Sequence, residues 1–71
     1  MERAIAIGIA LRKLSGEKTQ EQIASDLGIT KSSWAMYERS HRIPRDEVKL
    51  RIARHFGVSV QELFYPQFEH E

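Results

Sequence analysis

The sequence predicts an all-α domain of five short helices, on three observations. Apolar residues recur at three- and four-residue spacing along most of the chain, and nowhere do they alternate as a half-buried strand requires. A hydroxyl residue followed three positions later by Gln or Glu stands at Thr19 with Gln22 and at Ser59 with Glu62, each ahead of such a run. That reciprocal pattern satisfies the free N–H groups of a helix start. Gly28 and Gly57 directly follow the last apolar position of a run, where a left-handed residue ends a helix and glycine adopts it without a Cβ penalty.

The first helix is expected from about Glu2 to Leu14, with Ile5, Ile9, Leu11 and Leu14 as its buried stripe and Arg12 and Lys13 on the wet side. Ser15 and Gly16 end it. The second opens at Thr19 and places Ile23, Ala24 and Leu27 on one face before Gly28 stops it. Ile29 packs into the corner, and Thr30 caps a third helix whose inward face is Trp34 and Tyr37. Its outer face presents Lys31, Ser32, Ser33, Ala35 and Met36. Where two helices cross steeply, one position faces the partner backbone and tolerates little more than a methyl group. Ala24, the glycine at the turn and the bulky groups after it therefore define a helix-turn-helix.

After Arg39 the polar connector SHRIP ends at Pro44, which disfavours helix at Ile43 and can start the next one. The fourth helix is expected from about Arg45 to Phe56. Asp46 and Glu47 suit its first turn and Arg54 and His55 its last; its core face is drawn from Val48, Leu50, Ile52, Ala53 and Phe56. A short fifth helix contains Val60, Leu63 and Phe64 and is closed by Pro66. The chain then divides into a domain over residues 1–65 and a short polar tail over 66–71.

A chain of 71 residues is one small domain, of modest stability without a partner. It has no cysteine, which removes disulfides, thiolate metal sites and thiol catalysis and fits a reducing, cytoplasmic setting. The apolar run from Ala4 to Leu11 leads straight into Arg12 and Lys13. It is too short to cross a membrane and reads as a buried helix rather than a signal segment. His41, His55 and His70 share no metal-ligand spacing, and no catalytic triad or glycine-rich phosphate loop is visible. Neither an enzyme nor a metal or other cofactor is expected. The net charge of +1 hides a division: residues 1–55 hold all eleven Lys and Arg with seven acids, and residues 56–71 hold three acids alone. The densest basic segment carries Arg39, Arg42, Arg45, Lys49, Arg51 and Arg54, a local patch of the kind phosphates attract.

Gln20, Ala24, Gly28, Ile29, Trp34, Tyr37 and Glu38 fall at a spacing that resembles the lambda-repressor-like regulators, the Cro and XRE group of bacteria and their phages. LRKL at 11–14, MYER at 36–39, PRDEVK at 44–49 and GVSVQELF at 57–64 extend the likeness over roughly residues 5–65. The resemblance implies a compact five-helix lambda-repressor-like DNA-binding domain with helices two and three as the helix-turn-helix. It implies a sequence-specific regulator of double-stranded DNA, of the small phage-type or mobile-element repressor kind. In this motif the start of the second helix enters the major groove. Lys31, Ser32, Ser33, Ala35 and Met36 would then reach base edges, and Gln20, Arg39, His41, Arg42 and Arg45 would lie beside phosphates.

Three departures from the family stand out. The connection after the first helix is short, and Ser40 occupies a position where the family often has glycine. The family's acid at Glu38 commonly pairs with an arginine whose counterpart here is Ser15. A partly buried carboxylate stripped of its partner is costly, so Arg12 is expected to replace it, with Arg42 second. One small domain contacts little DNA, which favours a homodimer. Phe64, Tyr65 and Phe68 cannot all reach the core from a short helix, and some of them are expected at the dimer contact. The competing class is a protein-binding helical module, such as an antitoxin using that acidic, aromatic C-terminal segment.

Overall fold

Helices α1 (Glu2–Ser15), α2 (Gln20–Leu27), α3 (Lys31–Glu38), α4 (Asp46–Phe56) and α5 (Val60–Phe64) follow one another in a computed structural model that describes the backbone of residues 2–65 and the side chains of residues 4–65. Among the described residues there is no strand. Pro66 as a helix stop, the polar tail, Phe68 and His70 lie outside the described residues.

The local signals act as expected. Thr19 and Ser59 each form a complete capping box, with Gln22 and Glu62 reaching back to the cap backbone. Gly28 is left-handed at φ 73°, so α2 turns sharply into α3. Thr30 Oγ1 accepts the Ser33 N–H at 3.0 Å and starts α3. Ile23, Ala24, Leu27, Trp34 and Tyr37 are all buried, and Trp34 stacks on Phe56 with ring centroids 6.2 Å apart. Ile52, Leu63 and Phe64 complete the core from α4 and α5.

In α1 the inward face differs from the expected stripe. Ala4, Ile7, Gly8, Leu11 and Ser15 are buried, while Ile5 and Ile9 remain 51% and 41% exposed. The helix also continues one residue further, through Ser15. The physical reason is close approach. A Cβ on Gly8 would lie 2.8 Å from the Glu38 carbonyl oxygen and 2.3 Å from Ser40 Oγ, so only glycine lets the α1 backbone rest against the end of α3. Apolar residues cover both sides of this helix, and the small ones decide which side faces in.

Three further expectations are corrected in the second half of the chain. Arg45, not Pro44, is the residue before α4, and Pro44 is buried ahead of it. Leu50 is 49% exposed, whereas Lys49 is buried. The lysine can turn inward because its stem packs on apolar surface while its ammonium finds partners. Lys49 Nζ donates to the Tyr65 hydroxyl at 2.6 Å and lies 4.6 Å from that ring's centre. Phe64 is fully buried, so it belongs to the core and not to a dimer contact, and Tyr65 is half-buried against it.

Candidate nucleic-acid interface

The front of α3 begins with two exposed side chains, Lys31 and Ser32, followed by Ser33, Ala35 and Met36, which are half-buried. Trp34 and Tyr37 anchor the opposite side of the helix in the core. The Thr30 hydroxyl donates to Ser33 Oγ at 3.0 Å while accepting from the Ser33 backbone. Ser33 is thereby held by an acceptor contact, and its own proton is left to donate outward.

The chain after α3 curls back on this surface. His41 N–H donates to the Met36 carbonyl at 2.9 Å, and Ser40 adopts the left-handed backbone at φ 67° that glycine would accept without strain. Arg42 and Arg45 then line one hollow together with Thr30, Ser33, Tyr37 and Glu47. Two arginines and three hydroxyl residues therefore border the same concavity, and its one carboxylate, Glu47, is paired with Arg51 at 3.0 Å, which leaves a chemistry suited to an anionic oxygen. Arg39 and His41 are exposed on the turn outside that hollow. Arg51, by contrast, is committed elsewhere. It donates to the Leu27 carbonyl at 3.4 Å and pairs with Glu47 at 3.0 Å, bracing the end of α2. With Lys49 turned inward as well, the basic segment is not one continuous patch.

Glu38 is buried at the other end of α3, and its partner is neither Arg12 nor Arg42. Ser15 Oγ donates to Glu38 Oε2 at 2.8 Å, and Gln20 Nε2 donates to Oε1 at 2.7 Å. Ser15 Oγ also lies 2.8 Å from the Leu11 carbonyl, so its single proton is shared between the two acceptors. Arg12 is exposed. The residue that replaces the family's arginine thus takes over its partner, by a hydroxyl in place of a charge. A sequence signal existed: Ser15 sits at the matching position, and a short side chain suffices because Gly8 brings α1 close. Gln20 couples α2 to the same carboxylate. One N–H of its amide is thereby engaged, and among the described residues the second has no partner.

Among the described residues no group of three or more His, Asp or Glu stands close enough to hold a metal ion, and no helix is long and apolar enough to cross a membrane. His55 lies 4.0 Å from Asp26, linking α4 to α2. The fold and this surface together define a helix-turn-helix DNA-binding domain. A model of the helix-turn-helix family matches residues 9–63, and the chain belongs to that family in its lambda-repressor-like form, a family of DNA-binding regulators generally without enzymatic activity. No curated protein and no solved structure matches.

Proposed function

We propose that this chain is a sequence-specific regulator of transcription that binds double-stranded DNA as a homodimer, in the manner of a small phage-type or mobile-element repressor, with residues 1–65 as the binding domain. The observation that carries the reading is the free polar front of α3 beside the Arg42 and Arg45 hollow. Lys31 would donate to guanine O6 or N7, Ser32 and Ser33 would donate or accept at base edges, and Ala35 and Met36 would pack on thymine methyl groups. Arg42, Arg45, Arg39 and His41, with the free N–H of Gln20 and the first backbone N–H groups of α2, would hold phosphates and fix register. Of the residues the protein-binding alternative would use, Phe64 is buried and Tyr65 is bonded to Lys49, while Phe68, Glu69 and Glu71 lie outside the described residues.

Salt titration tests the reading. Affinity for duplex DNA should fall steeply with salt, by a slope of about 0.9 per phosphate contact; a chain that ignores DNA at low salt would refute it. Lys31→Ala should cost about 1–3 kcal/mol on the preferred site and relax the choice of one base pair. Arg42→Ala should weaken preferred and scrambled duplexes alike and lower the salt slope by about one unit. Equal losses for Lys31→Ala on both duplexes would move Lys31 to the phosphate set.

A further inference from the structure

The outward side of α1 carries its own apolar strip. Ile5 and Ile9 stand one turn apart in one row, and Ala6, Ala10 and Leu14 form the neighbouring row. Ile5 and Ile9 stand in the open. The strip runs into an apolar groove walled by Ala10 and Leu14 on one side and by Val58 and Leu63 on the other. Over residues 4–11 this helix is apolar all round, and such a segment belongs where it is covered all round; open apolar surface of this kind marks an interaction face.

The rims of that groove carry opposite charges, Lys13 on α1 and Glu62 on α5. Among the described residues neither is in an ion pair: Glu62 only accepts the Ser59 N–H, through Oε1 at 3.2 Å. A twofold axis turns one plus and one minus on a shared patch into two cross-subunit pairs, because residue i meets j and j meets i. A second copy of this chain therefore has the complementary charges by construction, whereas an unrelated partner would need them in the matching order.

We infer that this face receives a second copy of the chain. The Ile5 and Ile9 strip of one protomer lies along that of its partner, Ala6 and Ala10 let the two helices approach closely, and Lys13 pairs with Glu62 across the axis. The inference rests on the homodimeric reading above and names its contact. It leaves the DNA face open, since Gly8 on the opposite side of α1 is the position that touches the end of α3.

Sedimentation equilibrium of the full chain over a wide concentration range is the test, with Ile9→Glu, Lys13→Glu, Glu62→Lys and the double reversal Lys13→Glu/Glu62→Lys. All should keep the monomer's far-UV spectrum and thermal midpoint under dilution. Ile9→Glu should raise the dimer Kd by more than about a hundredfold. Each single reversal, acting at two symmetric sites, should raise it by about tenfold, and the double reversal should bring it back near the starting value. The charge variants keep the test decisive even if Ile9→Glu misfolds. A dimer indifferent to all four substitutions uses another surface, which overturns the inference and spares the homodimer reading. A chain that stays monomeric throughout overturns the homodimer reading itself. If deleting residues 66–71 creates an Ile9-sensitive dimer that the full chain lacks, the strip is covered by that segment, and the second-copy assignment fails.

Discussion

The α2–α3 corner and α1 treat their large apolar side chains in opposite ways. In the corner Ile23, Leu27, Trp34 and Tyr37 are all buried, and Thr19, Gly28 and Thr30 satisfy the helix ends on either side of the turn. Only one arrangement meets those demands at once. α1 buries Ile7 and Leu11 but leaves Ile5 and Ile9 in solvent, and its orientation follows from what lies between the large groups. Gly8 admits the backbone of the α3 terminus, and Ser15 offers the hydroxyl that Glu38 needs. The corner is thus specified by its own residues, whereas α1 is specified by the element it rests on.

That contrast makes quantitative demands. Trp34→Ala removes the largest buried side chain of the corner and should cost about 3–5 kcal/mol, comparable with the whole stability of a domain this small. Loss of a cooperative thermal transition is the expected result. Gly8→Ala should cost about 1–3 kcal/mol in urea unfolding despite alanine's better helix propensity, because the Glu38 carbonyl cannot retreat cheaply. A neutral Gly8→Ala would mean that α1 can slide, and its seat on α3 would not set its orientation. Ser40→Gly should raise stability by about 1 kcal/mol, since glycine accepts the left-handed backbone without the Cβ clash. Smallest of all, Ile9→Ala and Arg12→Ala should each change the dilute monomer's stability by less than about 0.5 kcal/mol. An Arg12→Ala loss as large as that of Ser15→Ala would reinstate the arginine as the partner of Glu38.

The same contrast explains how far the sequence could be read. The five helices, the turn and the core of the corner are legible because Thr19, Gly28, Thr30 and Ser59 act locally, through the backbone within three or four residues. The polar front of α3 is legible for the same reason, since Trp34 and Tyr37 leave Lys31, Ser32 and Ser33 one direction in which to point. The misassigned positions depend on contacts distant in sequence. Ile5 and Ile9 share their spacing with a buried stripe, and only the approach of Glu38 and Ser40 to Gly8 shows which side is in. Lys49 displaces Leu50 from the interior because Tyr65 waits there, at a separation along the chain that no periodicity encodes. The bond from Ser15 to Glu38 joins the first helix to the third and needs α1 to be close before a hydroxyl can reach.

The seat of α3 on Gly8 also has a mechanical consequence. At Gly8 the α1 backbone meets the end of α3 closely, against the Glu38 carbonyl and the small side chain of Ser40. In a dimer joined through the outer side of α1, a single helix thickness would separate the twofold axis from the terminus of α3, along a path made of helix α1 and its close contact at Gly8. Such an assembly behaves as a ruler rather than a tether. One extra base pair between half-sites moves the second of them about 3.4 Å along the duplex and about a tenth of a turn around it. A rigid path through α1 could follow neither displacement, so the operator would be measured by its length as strictly as by its bases.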